Sequence, residues 1–169
     1  MSGKKLSLRE LTLLSILGGM TFAAKMVMAG LPNIEPVSLL VMLFAVCIGW
    51  KGLYAVAVYV ALEFAMWGWG LWSFCYLYVW LILFCLARLL RKMEHPLGWA
   101  ILSGGFGLSF GALCALVYWI SGGWAAAVSW WISGIPADLI HCGGNFVIAL
   151  LLFRPLRQVL ERLLAGYKH

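Results

Sequence analysis

Long apolar runs occupy almost the whole of this 169-residue chain, and they constrain its fold more than any other feature. Hydrophobic residues make up 64% of the sequence and charged residues only 11%. A soluble domain of ordinary composition carries about 25% charged residues. Because so little polar surface cannot enclose so large an apolar interior, lipid must cover it. We therefore predict an all-α membrane protein, a single membrane domain over residues 1–169.

Short polar breaks divide the apolar runs into six predicted membrane spans. Pro32 and Pro36 lie too close together for a helix to continue through the first break, and Lys51 marks the second. The predicted spans are residues 6–29, 36–49, 53–67, 71–90, 96–120 and 137–153. Residues 121–136 are predicted to form a long connection, and residues 154–169 a basic amphipathic tail. Spans two and three are short, at about 15 residues each against about 20 for a full crossing.

The distribution of basic residues supports six crossings. With the amino terminus inside, the residues on the cytoplasmic side are Lys4, Lys5, Arg9, Lys51, Arg88, Arg91, Lys92, Arg154, Arg157, Arg162 and Lys168. Cytoplasmic loops ordinarily carry the excess of Lys and Arg in a membrane protein. Lys25 is the one basic residue that does not follow this rule. Fusing spans two and three would place the basic cluster at 88–92 outside. We predict a compact bundle of six transmembrane helices with both termini in the cytoplasm, so the net charge of +6 needs no nucleic-acid partner.

Polar residues collect at one depth, near the outer ends of the predicted spans. They are Lys25 in span one, Asn33 and Glu35 in the first outer turn, Glu63 in span three, and Asp138, His141 and Asn145 in span six. The last three recur at i, i+3 and i+7, which places them on one helix face. Ionisable groups at membrane depth are costly and usually face a bundle interior or a wet cavity. This convergence favours a ligand site, and a purely structural network of ion pairs is the alternative.

Aromatic residues border this polar cluster. Trp72 and Tyr76 are four residues apart in span four and Trp67 just precedes them, so these three rings can form a stacking wall for a flat ligand. Packing against lipid or within the core is the alternative. The sequence contains no P-loop, dinucleotide fingerprint, metalloprotease helix or nucleophile elbow, and its five cysteines form no C-x-x-C pair. We therefore predict no catalytic residue, metal site or cofactor.

Taken together, several short motifs resemble the substrate-binding S components of energy-coupling factor (ECF) transporters, which import vitamins and related micronutrients. The motifs are LPNIEP at 31–36, GLW at 70–72, IPADLIH at 135–141, GNF at 144–146 and FRPL at 153–156. The first of these is the most specific, and the resemblance covers nearly the whole chain.

The resemblance implies a substrate-binding subunit of an ATP-driven importer in the bacterial plasma membrane. Its substrate would bind on the outer side, and its partners would be a transmembrane coupling (T) subunit and two cytoplasmic ATPases that hydrolyse the ATP. A row of small residues on span one would contact the coupling subunit, and the candidates are Ser15, Gly19 and Ala23. We expect a vitamin-like or heterocyclic ligand whose identity stays open. A non-transport scaffold or assembly subunit and a solitary micronutrient carrier are the alternatives.

Overall fold

The computed structural model describes residues 6–166, and every regular element within that range is helical. The helices are α1 (Leu8–Val27), α2 (Val37–Leu43), α3 (Leu53–Trp67), α4 (Leu71–Leu89) and α5 (Pro96–Gly166). A π-helical turn (Phe44–Ile48) and a 3₁₀ turn (Gly49–Gly52) join α2 to α3. Four helical runs are long and apolar enough to cross a membrane: Leu8–Val27, Val37–Trp67, Leu71–Leu89 and Pro96–Gly166. The predicted all-α class is confirmed, and the chain has the composition of a multi-pass membrane protein.

The long α5 folds back on itself at Gly123. In a straight helix, Gly111 and Asp138 would lie about 40 Å apart along the axis. Instead, the Gly111 N–H donates a hydrogen bond to Asp138 Oδ1 at 3.0 Å. Gly123 has φ 78° and ψ −177°, a backbone conformation that only glycine adopts without strain. Residues 96–122 and 124–166 are therefore two antiparallel helical segments in contact.

A second reversal separates α2 from α3 and also depends on glycine. Gly49 has φ +79°. A Cβ atom on Gly52 would lie 2.8 Å from the Phe44 carbonyl oxygen, closer than any side chain allows. Residues eight apart in a continuous helix would be separated by about 12 Å, so the chain turns sharply here. The predicted break at Trp50-Lys51-Gly52 lies within this turn.

The contacts between α1 and α3 give the direction of both helices. Lys51 forms an ion pair with Glu10 near the start of α1. Farther along both helices, Lys25 forms an ion pair with Glu63. Residue numbers rise together in the two helices, so α1 and α3 are parallel neighbours. Because α2 lies between them in the chain, it must run in the opposite direction.

The core of the bundle is centred on α2. Six of its residues are buried: Val37, Ser38, Leu39, Val41, Met42 and Leu43. By contrast, large apolar side chains remain exposed on the outer faces of the other helices, including Ile16, Leu81, Ile101 and Leu151. An exposed apolar surface of this extent is what hydrocarbon chains cover in a bilayer.

Several predicted boundaries differ from the structure. The predicted connection at 121–136 is wrong, since these residues are helical except at Gly123. Tyr118 stacks on Trp130 with ring centroids 3.9 Å apart, so packing extends both segments of α5 up to the glycine. The helix also passes through Pro136 and Pro155 and ends at Gly166, which makes most of the predicted tail a continuation of α5.

The first predicted span is slightly too long, since the span predicted at about 6–29 is the helix Leu8–Val27. The span predicted at about 36–49 agrees with the helical run formed by Val37–Leu43 and Phe44–Ile48, of which only the first part is α-helical. The predictions that involve Lys4, Lys5 and Lys168 lie outside the described residues, as does the end of the predicted tail at 167–169.

Candidate ligand-binding site

A partly buried ion pair lies at the centre of the site. Lys25 Nζ donates to Glu63 Oε2 at 2.8 Å and to the Tyr76 hydroxyl oxygen at 3.1 Å. The side chains of Lys25 and Glu63 are 21% and 4% exposed. This contact joins α1, α3 and α4 at one depth. Glu63 and Tyr76 together hold the ammonium group in place.

The sequence of α1 brings Lys25 to this position. Leu14, Gly18 and Thr21 are the buried residues of the helix, and Lys25 continues their spacing at i+4 from Thr21. A Cβ on Gly18 would lie 2.5 Å from the Ala55 carbonyl oxygen. The absence of a side chain at Gly18 therefore lets α1 approach α3 closely enough for Lys25 to reach Glu63.

The turn between α1 and α2 carries a carboxylate over the same region. Asn33 adopts φ 58°, a left-handed conformation that asparagine tolerates better than most residues. Next to it, Ile34 packs on Gly144 of α5. This contact leaves Glu35 Oε1 3.7 Å from His141 Nε2, too far for a hydrogen bond.

The environment of Glu35 changes its acidity. Burial raises the pKa of its carboxyl from an ordinary 4.5 to about 7, because the loss of solvation outweighs the attraction of Lys25. Repulsion from Glu63 also raises the pKa of Glu35. Glu35 therefore changes charge close to neutral pH.

Three aromatic rings form the opposite wall. Trp72 lies 5.9 Å from Tyr76 and 5.7 Å from Phe110 between ring centroids, and Tyr76 lies 6.3 Å from Phe110. The His141 ring meets Phe110 edge to face at 5.0 Å. Rings in mutual contact at these distances hold each other in fixed orientations.

These groups enclose a cavity of about 330 Å³, within the range of roughly 300–1,000 Å³ that is typical of small-molecule sites. Seven of the residues predicted to bind substrate line it: Lys25, Asn33, Glu35, Trp67, Trp72, Tyr76 and His141. Sequence reasoning missed Phe110, which also lines the cavity. The available signal was the i, i+4 spacing of Phe106 and Phe110.

Three predicted binding residues lie behind the cavity wall and do not line it. Glu63 holds Lys25 as described above. Both carboxylate oxygens of Asp138 accept from the Gly111 N–H, at 3.0 and 3.2 Å. The Asn145 amide donates to Ser38 Oγ at 2.9 Å. In this structure Asp138 and Asn145 join helices, because their polar atoms point at neighbouring helices instead of the cavity.

The small-residue row predicted as a partner interface lies on the outer surface of α1. Ser15 and Gly19 are partly buried and Ala23 is exposed. A Cβ on Gly19 would meet nothing within 4 Å. The close contact of α1 within the chain is instead made by Gly18, on the adjacent face.

Two further features bear on the chemistry of the site. Within residues 6–166, no group of three or more His, Cys, Asp or Glu side chains is placed to hold a metal ion. A larger groove, of about 630 Å³, lies between α3 and α4. Its lining is largely apolar and includes the exposed residues Ala57, Ala61 and Leu81. It shares Tyr76 with the smaller cavity but is not lined by Lys25, Glu35 or His141.

Comparisons with known proteins leave the family of the chain open. No protein-family model matches it, and no curated protein or solved structure matches it at the significance level applied. The residues and geometry of the cavity are therefore the basis for assigning a function.

Proposed function

We propose that this protein is the substrate-binding subunit of an ATP-driven importer of the ECF type, and that it captures a vitamin-like or heterocyclic micronutrient. The cavity at the outer ends of the helices carries the proposal. It is lined by the ammonium group that Glu63 holds from behind the wall, by the carboxylate of Glu35 and by four aromatic rings. It is also lined by an imidazole whose Nε2 has no hydrogen-bond partner among the described residues. A few fixed polar groups among apolar and aromatic walls are the usual composition of a small-molecule site.

The proposal includes six membrane crossings. Support comes from the parallel course of α1 and α3 and from the reversals at Gly49 and Gly123. The division of charge also agrees, since Arg88 and Lys51 lie at the end of the bundle away from the cavity. Under the positive-inside rule, that end faces the cytoplasm of a bacterial cell and the cavity faces outward.

The proposed partners are a transmembrane coupling subunit and two cytoplasmic ATPases. The row of Ser15, Gly19 and Ala23 supports a helix contact, because small residues at spacings of four allow a second helix to approach closely. This face is left uncovered by the chain itself around Gly19. ATP hydrolysis is assigned to the partners.

Co-expression with a coupling subunit and its ATPases tests this function. We expect the chain to co-purify with them and to support ATP-dependent uptake of a bound micronutrient into vesicles. Gly19→Leu should abolish co-purification. Gly105→Leu provides a matched control, because a Cβ at Gly105 also meets nothing within 4 Å but lies on α5. Equal co-purification of both variants would contradict the assigned interface.

The alternatives predict different results in the same assay. Uptake in cells that lack any coupling subunit would identify a solitary carrier. A chain that binds no small molecule and co-purifies with neither ATPases nor a coupling subunit would identify a scaffold or assembly subunit, with the Lys25–Glu63 pair as a purely structural lock.

A further inference from the structure

We infer that the ligand of this cavity is a flat organic cation with N–H donors on one edge, of the amidine or protonated amino-heterocycle class, held by Glu35 and His141. The inference rests on the proposed function only in placing a ligand in this cavity. It goes beyond that function by assigning the charge and the donor pattern of the ligand. Three independent observations carry it.

The first observation is the charge balance of the cavity. Lys25 is neutralised by Glu63 through a contact of 2.8 Å, so this pair contributes no net charge. Glu35 adds a second carboxylate. Among residues 6–166, its one ion-pair contact is with His141, at 3.7 Å. With Glu35 ionised and His141 neutral, the site carries one negative charge, which a monocation would balance.

The second observation is the hydrogen-bonding capacity left open. His141 Nε2 is buried and, within the described part of the chain, has no hydrogen-bond partner. Buried polar atoms are ordinarily satisfied. A carboxylate can only accept, whereas a neutral imidazole offers one acceptor and one donor. We assign the acceptor role to Nε2, the tautomer with the proton on Nδ1. A ligand edge between Glu35 and His141 then presents N–H groups to both, as an amidinium does.

The third observation is the aromatic wall. Trp72, Tyr76 and Phe110 surround the cavity with their ring centroids 5.7 to 6.3 Å apart. Aromatic faces attract cations, and the attraction is larger where water is excluded. Lys25 Nζ already lies 5.0 Å from the centroid of the Tyr76 ring, so the rings left for a ligand are Trp72 and Phe110. A planar cation placed against these two rings would also meet the Glu35 carboxylate, whereas that carboxylate would repel an anion.

The same arrangement makes binding depend on pH. The groups that face Glu35 are Lys25 on α1, Tyr59 and Glu63 on α3, Tyr76 on α4 and His141 on α5. The pKa of Glu35 is raised to about 7, so the carboxylate is ionised above that pH. Affinity for a permanent cation should consequently fall as the pH drops through 7.

Three probes of equal shape test the inference on purified full-length protein in lipid nanodiscs. Benzamidine is a planar cation, benzamide is its neutral counterpart and benzoate is the anion. At pH 8 we expect benzamidine to bind about tenfold or more tighter than benzamide, as a charge-assisted contact provides, and benzoate not to bind. At pH 6 benzamidine, still a cation, should bind about tenfold more weakly than at pH 8.

Glu35→Gln should remove both the preference for benzamidine and its pH dependence. Glu94→Gln provides the control, because Glu94 is exposed in the turn between α4 and α5. Thermal unfolding of each variant verifies that it is folded. Binding of benzoate or benzamide as tightly as benzamidine, or no binding of any probe at millimolar concentration, would overturn the inference. Selective benzamidine binding by a chain that never associates with a coupling subunit would retain the inference and reject the proposed importer.

Discussion

The Lys25–Glu63 pair gives the most direct measure of how the bundle is held together. At 2.8 Å and an effective dielectric constant of about 20, two unit charges attract by about 6 kcal/mol. Desolvation of Glu63, whose side chain is 4% exposed, offsets part of this attraction. Removing one member of a buried pair typically costs 3–5 kcal/mol, because the other charge is left buried and unpaired.

Glu63→Gln should therefore lower the free energy of unfolding by about 3 kcal/mol, the lower end of that range. We expect the lower end because Lys25, left without Glu63, still donates to the Tyr76 hydroxyl and is 21% exposed to solvent. The double variant Lys25→Met/Glu63→Gln leaves no unpaired charge. The decrease in the free energy of unfolding should be about 2 kcal/mol smaller for the double variant than the sum of the decreases for the two single variants.

Reversible unfolding in mixed detergent micelles, followed by tryptophan fluorescence, measures these differences. Glu161→Gln is the matched control, since its ion pair with Arg157 is largely exposed at 48% and 31% and should contribute less than about 1 kcal/mol. A Glu63→Gln variant as stable as the parent, or strictly additive losses in the double variant, would refute the reasoning.

Three other predictions follow from the same contacts. Gly107→Ala should destabilise the protein by about 1–3 kcal/mol, since the new Cβ would lie 2.8 Å from the His141 carbonyl oxygen. The control Gly105→Ala, whose Cβ meets nothing within 4 Å, should stabilise the protein by about 0.5–1 kcal/mol. Equal shifts in the melting temperature of the two variants would contradict this packing. Glu35→Gln should be as stable as the parent below pH 4.5 and about 3 kcal/mol more stable above pH 7. The reason is that the pKa of Glu35 is raised from 4.5 to about 7 in the folded protein, so ionisation of this carboxyl between those pH values destabilises the folded parent. Parallel stability curves for the two proteins from pH 4 to 8 would exclude this shift. Asp138 accepts a hydrogen bond from the Gly111 N–H behind the cavity. Asp138→Asn should therefore leave ligand affinity unchanged, while Asp138→Leu should lower the melting temperature. A loss of affinity in the Asn variant would place Asp138 in the binding site.

Much of the fold could be predicted from the sequence because lipid imposes a simple rule. Every backbone polar group in the bilayer must be satisfied within a helix or a closed barrel, so apolar runs broken by Pro32, Pro36 and Lys51 translate directly into helices and turns. The prediction failed at 121–136, the residues predicted to form a long connection. There, stacking of Tyr118 on Trp130 extends the helices, and one glycine makes the whole turn.

The sequence by itself determined the all-helical class, the apolar runs long enough to cross a membrane, the turn between α1 and α2, and the polar residues that share one depth, because hydropathy and helical periodicity depend on local order along the chain. Only the tertiary structure decided which of those polar residues line the cavity. Periodicity places His141 and Asn145 on one face of α5, but it cannot show that His141 faces the cavity while Asn145 faces Ser38. That distinction depends on the neighbouring helix opposite each residue, and glycines at contact points, such as Gly18, determine how closely those helices approach.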